Sequence, residues 1–111
     1  MALKKWAFVF LSPGFDPGKH SITLSSPTCE VRLVGLDLSR KGQVVSVAKE
    51  LVEDGAQMIE LCGGFGPIWV ARVSESIGGA VPVGSVAYGP EARAPLLAIL
   101  QPELFSHTEA V

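Results

Sequence analysis

A chain of 111 residues, 48% apolar and 18% charged, is expected to fold as one domain around a modest core. Its net charge of −2, with no basic stripe, excludes the electrostatic footprint of a nucleic-acid binder, and no apolar run reaches the roughly twenty residues that span a membrane. Charged residues fall short of the roughly 25% usual in soluble domains, so some apolar surface is expected to be hidden in a homo-oligomer.

In chain order, Lys5–Leu11 is almost continuously apolar and closes at Pro13-Gly14, as a strand buried on both faces does. No small-residue cleavage site follows Leu11, so this opening is expected to be structural rather than a secretion signal. Residues 12–27 predict a long connection rich in Pro, Gly and Ser, with a short helix near 17–22. Residues 28–36 alternate and are β-branched, which predicts a second strand. Ser39 is expected to cap a helix whose Val44, Val47, Ala48, Leu51 and Val52 share one face, with Gly55 as its stop.

The third strand is expected over residues 57–62 and a second helix over 67–77, opened by Pro67. Residues 81–88 predict a fourth strand, at an edge because Pro82 cannot donate a ladder bond. Residues 91–100 have helix-like apolar content, although Pro95 limits where a helix begins. Residues 101–111 read as a loose tail with Leu104 and Phe105 as docking points.

Alternating strands and helices predict an α/β fold, with a single domain over residues 1–100. The expected sheet has four mainly parallel strands in the order 2-1-3-4, like half of a flavodoxin fold, with helices on both faces. The alternative is an antiparallel, ferredoxin-like α+β arrangement. In a parallel sheet the strand C-termini share one edge, which would collect Ser12 to Asp16, Asp37, Cys62 to Gly66, and Tyr88 to Pro90.

The run Gly63-Gly64-Phe65-Gly66 before Pro67 is the strongest functional signal. A strand, a tight glycine turn and a helix start leave unpaired N–H groups and the positive helix end pointing at one place, which suits an anion. The spacing is neither the G-x-G-x-x-G dinucleotide fingerprint nor a phosphate loop ending in Gly-Lys-Ser/Thr. The expected ligand is therefore a small carboxylate or phosphate held by Gly63, Gly64, Phe65 and Gly66, with Ser12 and Tyr88 beside it, and no nucleotide cofactor.

Cys62 borders the loop where a thiol can become nucleophilic, or simply end the strand as a small apolar residue. Glu60, inside an apolar strand, is a candidate base, or a carboxylate paired with Arg72 or Lys5, or an outward-facing residue on a solvated face. Asp16 and His20, four apart, form a candidate proton-transfer pair, or a helix cap beside a solvated imidazole; no third ligand accompanies them, so no metal is expected. The two cysteines, Cys29 and Cys62, are expected to be reduced thiols in a cytoplasmic protein. Two functions follow: an isomerase- or lyase-like proton transfer on a small anionic metabolite, with Cys62, Glu60, Asp16 and His20 as catalytic candidates, or a non-catalytic, oligomeric ligand-binding or accessory protein.

The run Lys5-Trp6-Ala7-Phe8-Val9-Phe10-Leu11, Pro13-Gly14-Phe15-Asp16-Pro17 with His20, Ala48-Lys49-Glu50-Leu51-Val52, Ile59-Glu60-Leu61-Cys62-Gly63-Gly64-Phe65-Gly66 and Val81-Pro82-Val83-Gly84 resemble a family of small bacterial α/β proteins of unknown function. The Glu-Leu-Cys-Gly-Gly-Phe-Gly run is the most specific part. The resemblance covers about residues 5–90 and implies the domain boundaries, but no activity.

Overall fold

Alternation along the first strand decides the architecture. In β1 (Lys5–Leu11), Ala7 and Val9 are fully buried, whereas Trp6, Phe8 and Phe10 on the opposite face are only half-buried. The same division runs through β3 (Glu30–Leu36) and β4 (Ile59–Leu61), where Val34, Leu36, Ile59 and Leu61 join Ala7 and Val9 in one core. The computed structural model describes residues 2–101.

Two helices close that core. α1 (Val44–Glu53) inserts Val44, Val47, Ala48 and Leu51, and α2 (Pro67–Ser76) inserts Val73. Each Val or Leu among them, when fully buried, stabilises by about 1.5–3 kcal/mol. Both helices pack on the same face of the sheet and on each other. The expectation of helices on both faces is therefore corrected: α1 and α2 each make a right-handed crossover in the same lateral direction, which puts them on one side.

The sheet is mixed and five-stranded, in the order β2-β3-β1-β4-β5, where β2 is Ser21–Ser25 and β5 is Val83–Ser85. β3, β1, β4 and β5 are mutually parallel, with Val9 opposite Val34 on one side and Leu61 on the other. The expected count of four strands omits β2, which pairs antiparallel with β3 from Ser21 opposite Val34 to Ser25 opposite Glu30. That segment was expected to be connection and short helix. The helical tendency is spent in a single turn, where the Asp16 carbonyl accepts from Lys19 and His20 N–H at 3.0 and 2.7 Å. After it Ile22 and Leu24 alternate, and Ser26 organises a tight return by accepting from Thr28 and Cys29 N–H. The antiparallel ferredoxin-like alternative does not occur.

Boundaries differ in three other places, one of them β5, which covers Val83–Ser85 rather than residues 81–88. Asp37, not Ser39, is the capping residue, and it opens a 3-10 turn over Leu38–Gln43 before α1 begins; Arg40, at φ −127° and ψ 42°, breaks that stretch. β4 is shorter than expected because its ladders extend only over Ala7 to Val9 of β1 and Val83 to Ser85 of β5. At the opposite edge Gln57 clamps the start of β1, its Oε1 accepting from Lys4 and Lys5 N–H at 2.6 and 2.9 Å. Lys5 bridges Glu30 and Asp54 at 3.3 and 3.1 Å.

After β5 the chain passes through a 3-10 turn at Pro90–Ala92 into α3 (Arg93–Leu100), which packs chiefly on that turn and buries no residue. Pro95 sits at the third helical position, where its missing N–H would have lacked a partner anyway. No helix among the described residues is long and apolar enough to cross a membrane. Leu104 and Phe105 lie outside the described residues.

Candidate functional site

Because β1, β3, β4 and β5 are parallel, their C-terminal ends share one edge, and every loop-borne candidate falls there. The edge is divided into two hollows rather than one site.

The first lies beyond β1 and β3, has a volume of about 420 Å³, and is lined by Asp16, Lys19, His20, Asp37, Arg40 and Gln43 among others. Asp37 holds its wall together: its carboxylate accepts from the Ser39 hydroxyl, from Gly14 N–H at 2.6 Å and from Ser39 N–H at 2.9 Å. These bonds, the Ser39 side chain foremost, pull its carboxyl down to about 2. Asp16 and His20 do not form a carboxylate–imidazole pair. His20 Nδ1 accepts from the Asp16 backbone N–H at 2.9 Å, while the Asp16 carboxylate accepts from Gly18 N–H. Both residues thus knit the turn, and the His20 ring packs against Phe15 at 4.7 Å between centroids, tilted by 40°.

The second hollow, about 610 Å³, is built by the glycine loop. Its lining includes Gly63, Gly66 and Pro67 on one side and Ser85, Tyr88, Arg93 and Leu96 on the other. Tight geometry forces the glycines here. A Cβ on Gly63 would stand 2.5 Å from the Tyr88 ring, and Gly66 adopts φ 78° and ψ 171°, a region that side-chain-bearing residues avoid. The Gly66 carbonyl accepts from Val70 N–H as the first bond of α2, so the N–H groups of Ile68 and Trp69 are left over at the helix start. Among the described residues no acceptor takes the N–H of Gly63, Gly64 or Gly66. Phe65 departs from expectation: it is buried in the core, and its N–H is spent on the Cys62 carbonyl at 3.1 Å.

Cys62 and Glu60 line neither hollow. The Cys62 thiol packs against the core and accepts from Leu11 N–H at 3.3 Å, and Leu11 and Cys62 together fill the space beside Gly64. Glu60 lies on the helix-free face between Phe8 and Gly84. Among the described residues it forms no ion pair, since Lys5 is engaged by Glu30 and Asp54 and Arg72 lies over the Trp69 ring at 4.7 Å. Ser12, whose N–H donates to the Leu36 carbonyl, continues the β1–β3 ladder rather than lining the glycine hollow.

Sequence reasoning missed Arg93. It follows a Gly-Pro turn in a segment with no motif, and only the return of the chain from β5 towards the loop brings it to the hollow. Among the described residues it has no carboxylate partner.

The arrangement defines an α/β protein with its helices α1 and α2 on one sheet face and a glycine-turn hollow at the strand C-termini. The chain belongs to a family of unknown function, DUF6506, whose model matches residues 4–101. No curated protein and no solved structure matches it.

Proposed function

We propose that the protein binds a small anionic molecule, a carboxylate or a phosphate ester with a compact apolar body, in the hollow between the glycine loop and Arg93. The observation that carries this reading is the convergence of uncommitted donors. Gly63 and Gly66, whose N–H groups have no acceptor among the described residues, line one hollow together with Arg93, and Tyr88, Leu96 and Val86 supply its apolar wall. Helix α2, ten residues long, adds the favourable end of its dipole.

Binding rather than turnover is favoured because the candidate proton-transfer groups are dispersed. Cys62 and Glu60 lie outside the hollow, and Asp16 and His20 belong to the other one, where their bonds hold the turn. A catalytic site needs its nucleophile and base within hydrogen-bonding reach of one reacting atom.

Calorimetric titration with inorganic phosphate and with malonate tests the reading. Arg93→Gln removes a charge-assisted bond of about 1.5–3 kcal/mol, so affinity should fall about tenfold or more with the fold intact. Unchanged affinity in Arg93→Gln would move the ligand elsewhere.

A further inference from the structure

The hollow between the glycine loop and α3 has a charge and a wall that narrow what it can hold. Among the described residues Arg93 is the one charged residue lining it, and no Asp or Glu does. The hollow beyond β1 and β3 differs, with Asp16, Asp37, Lys19 and Arg40 around it. One guanidinium balances one negative charge, and its planar fork of donors matches the two oxygens of a carboxylate. A diphosphate would bring further charge that no side chain lining the hollow offsets.

Size and polarity set the rest of the ligand. A volume of about 610 Å³ falls in the roughly 300–1,000 Å³ range of clefts that enclose a whole small molecule, of which inorganic phosphate or malonate fills only a part. The lining is otherwise largely apolar, with Val86, Tyr88, Pro90 and Leu96, and with Pro67 at the start of α2.

Tyr88 decides the shape. Its ring lies so close to the Gly63 backbone that a Cβ there would meet it at 2.5 and 2.8 Å, yet 56% of the residue stays exposed. One part of the ring is thus fixed against the glycine turn, and the rest is unfilled aromatic surface near the uncommitted N–H of Gly63. Aromatic rings pair with other rings, offset-stacked or edge-to-face, at about 4.5–7 Å between centroids. A ring attached close to a carboxylate comes beside Tyr88 when the carboxylate lies at the turn.

We propose that the ligand of this hollow is an aromatic monocarboxylate, with its carboxylate at Gly63, Gly66 and Arg93 and its ring against Tyr88; this rests on the anion-binding reading of the same hollow. The test is calorimetric titration of the 111-residue chain with phenylacetate, cyclohexylacetate and acetate, which carry the same charge and differ in body. Proton spectra of Tyr88, the one tyrosine of the chain, are read beside it. Phenylacetate should bind roughly 10–100-fold more tightly than acetate, as burial of a phenyl group implies. It should bind about 2–10-fold more tightly than cyclohexylacetate, as pairing of aromatic rings implies. Its ring current should move the Tyr88 ring resonances by more than either other acid does. Tyr88→Leu should remove the preference for phenylacetate over cyclohexylacetate, and Tyr88→Phe should keep it; the three acids on the wild-type chain decide if Tyr88→Leu does not fold. Equal affinity for phenylacetate and cyclohexylacetate, or phenylacetate bound with the Tyr88 ring unmoved, overturns the proposal, and acetate shifts at the Gly63 and Gly66 amides would then leave the anion-binding reading standing. Failure of every acid and of phosphate to move those amides overturns both.

Discussion

Gly35→Ala is the sharpest probe of how the strand edge and its loop are held. Gly35 is buried in β3 opposite Phe10, and the loop after β1 folds Phe15 back over it. A Cβ at this position would lie 2.5 Å from Phe15 Cδ2 and 3.0 Å from two ring atoms of Phe10. Carbon atoms settle about 3.5–4.0 Å apart, so the new methyl overlaps Phe15 by about 1 Å or more. Phe15 is held against the tilted His20 ring of the turn, and Phe10 lies between Phe8 and Phe15, so neither ring moves freely. Overpacking of this kind costs about 1–3 kcal/mol, offset by roughly 0.5–1 kcal/mol from a stiffer unfolded chain. A net loss of about 1–2 kcal/mol lowers the melting temperature by roughly 5–15 °C for a domain of this size. Circular dichroism during heating and urea titration measures both quantities. The double variant with Phe15→Ala should lose less than the sum of the two single losses by about 1 kcal/mol, because removing the ring makes the room the methyl needs. A neutral or stabilising Gly35→Ala, or strict additivity with Phe15→Ala, would refute this packing.

Three further outcomes follow from the same geometry. Asp37, lowered from 3.8 to about 2 by its hydrogen bonds, stabilises the fold above about pH 4, and that contribution fades as pH falls through about 2; Asp37→Asn should flatten the acid limb of a stability–pH curve over this window. Gly66→Ala meets no atom within 4 Å, so its penalty is backbone strain alone, about 1–3 kcal/mol in urea unfolding, and it should weaken phosphate binding by tilting the start of α2. Cys62→Ser should leave phosphate affinity unchanged by calorimetry, since the thiol faces Leu11 and the core rather than the hollow.

What was legible in the sequence was what apolar spacing controls. The run Lys5–Leu11 and the face formed by Val44, Val47, Ala48 and Leu51 are determined locally, and both occur. β3, β1, β4 and β5 stand in the expected relative order, but the fifth strand, β2 at one edge, was not expected. The strand at Ser21–Ser25 was hidden because only two of its residues, Ile22 and Leu24, are apolar, and its pairing depends on β3 rather than on its own pattern. An uninterrupted apolar run such as Trp6 to Leu11 reads as burial on both faces, yet among the described residues helices cover only the Ala7 and Val9 side. For the site, the glycine turn was legible because Gly66 holds a positive φ and Gly63 has no room for a Cβ beside Tyr88. The division of the edge into two hollows was not, since it depends on where Tyr88 and Arg93 return after β5.

The central claim, anion binding at the glycine loop, is tested most directly by following amide resonances of the ¹⁵N-labelled protein during titration with inorganic phosphate and malonate. The account predicts saturable shifts at Gly63, Gly64, Gly66, Ile68 and Trp69 and at the side chain of Arg93, with the residues of the Asp16–His20 turn unmoved. Shifts confined to Gly14, Lys19, His20 and Arg40, or no saturable shift at the glycine loop, would contradict it.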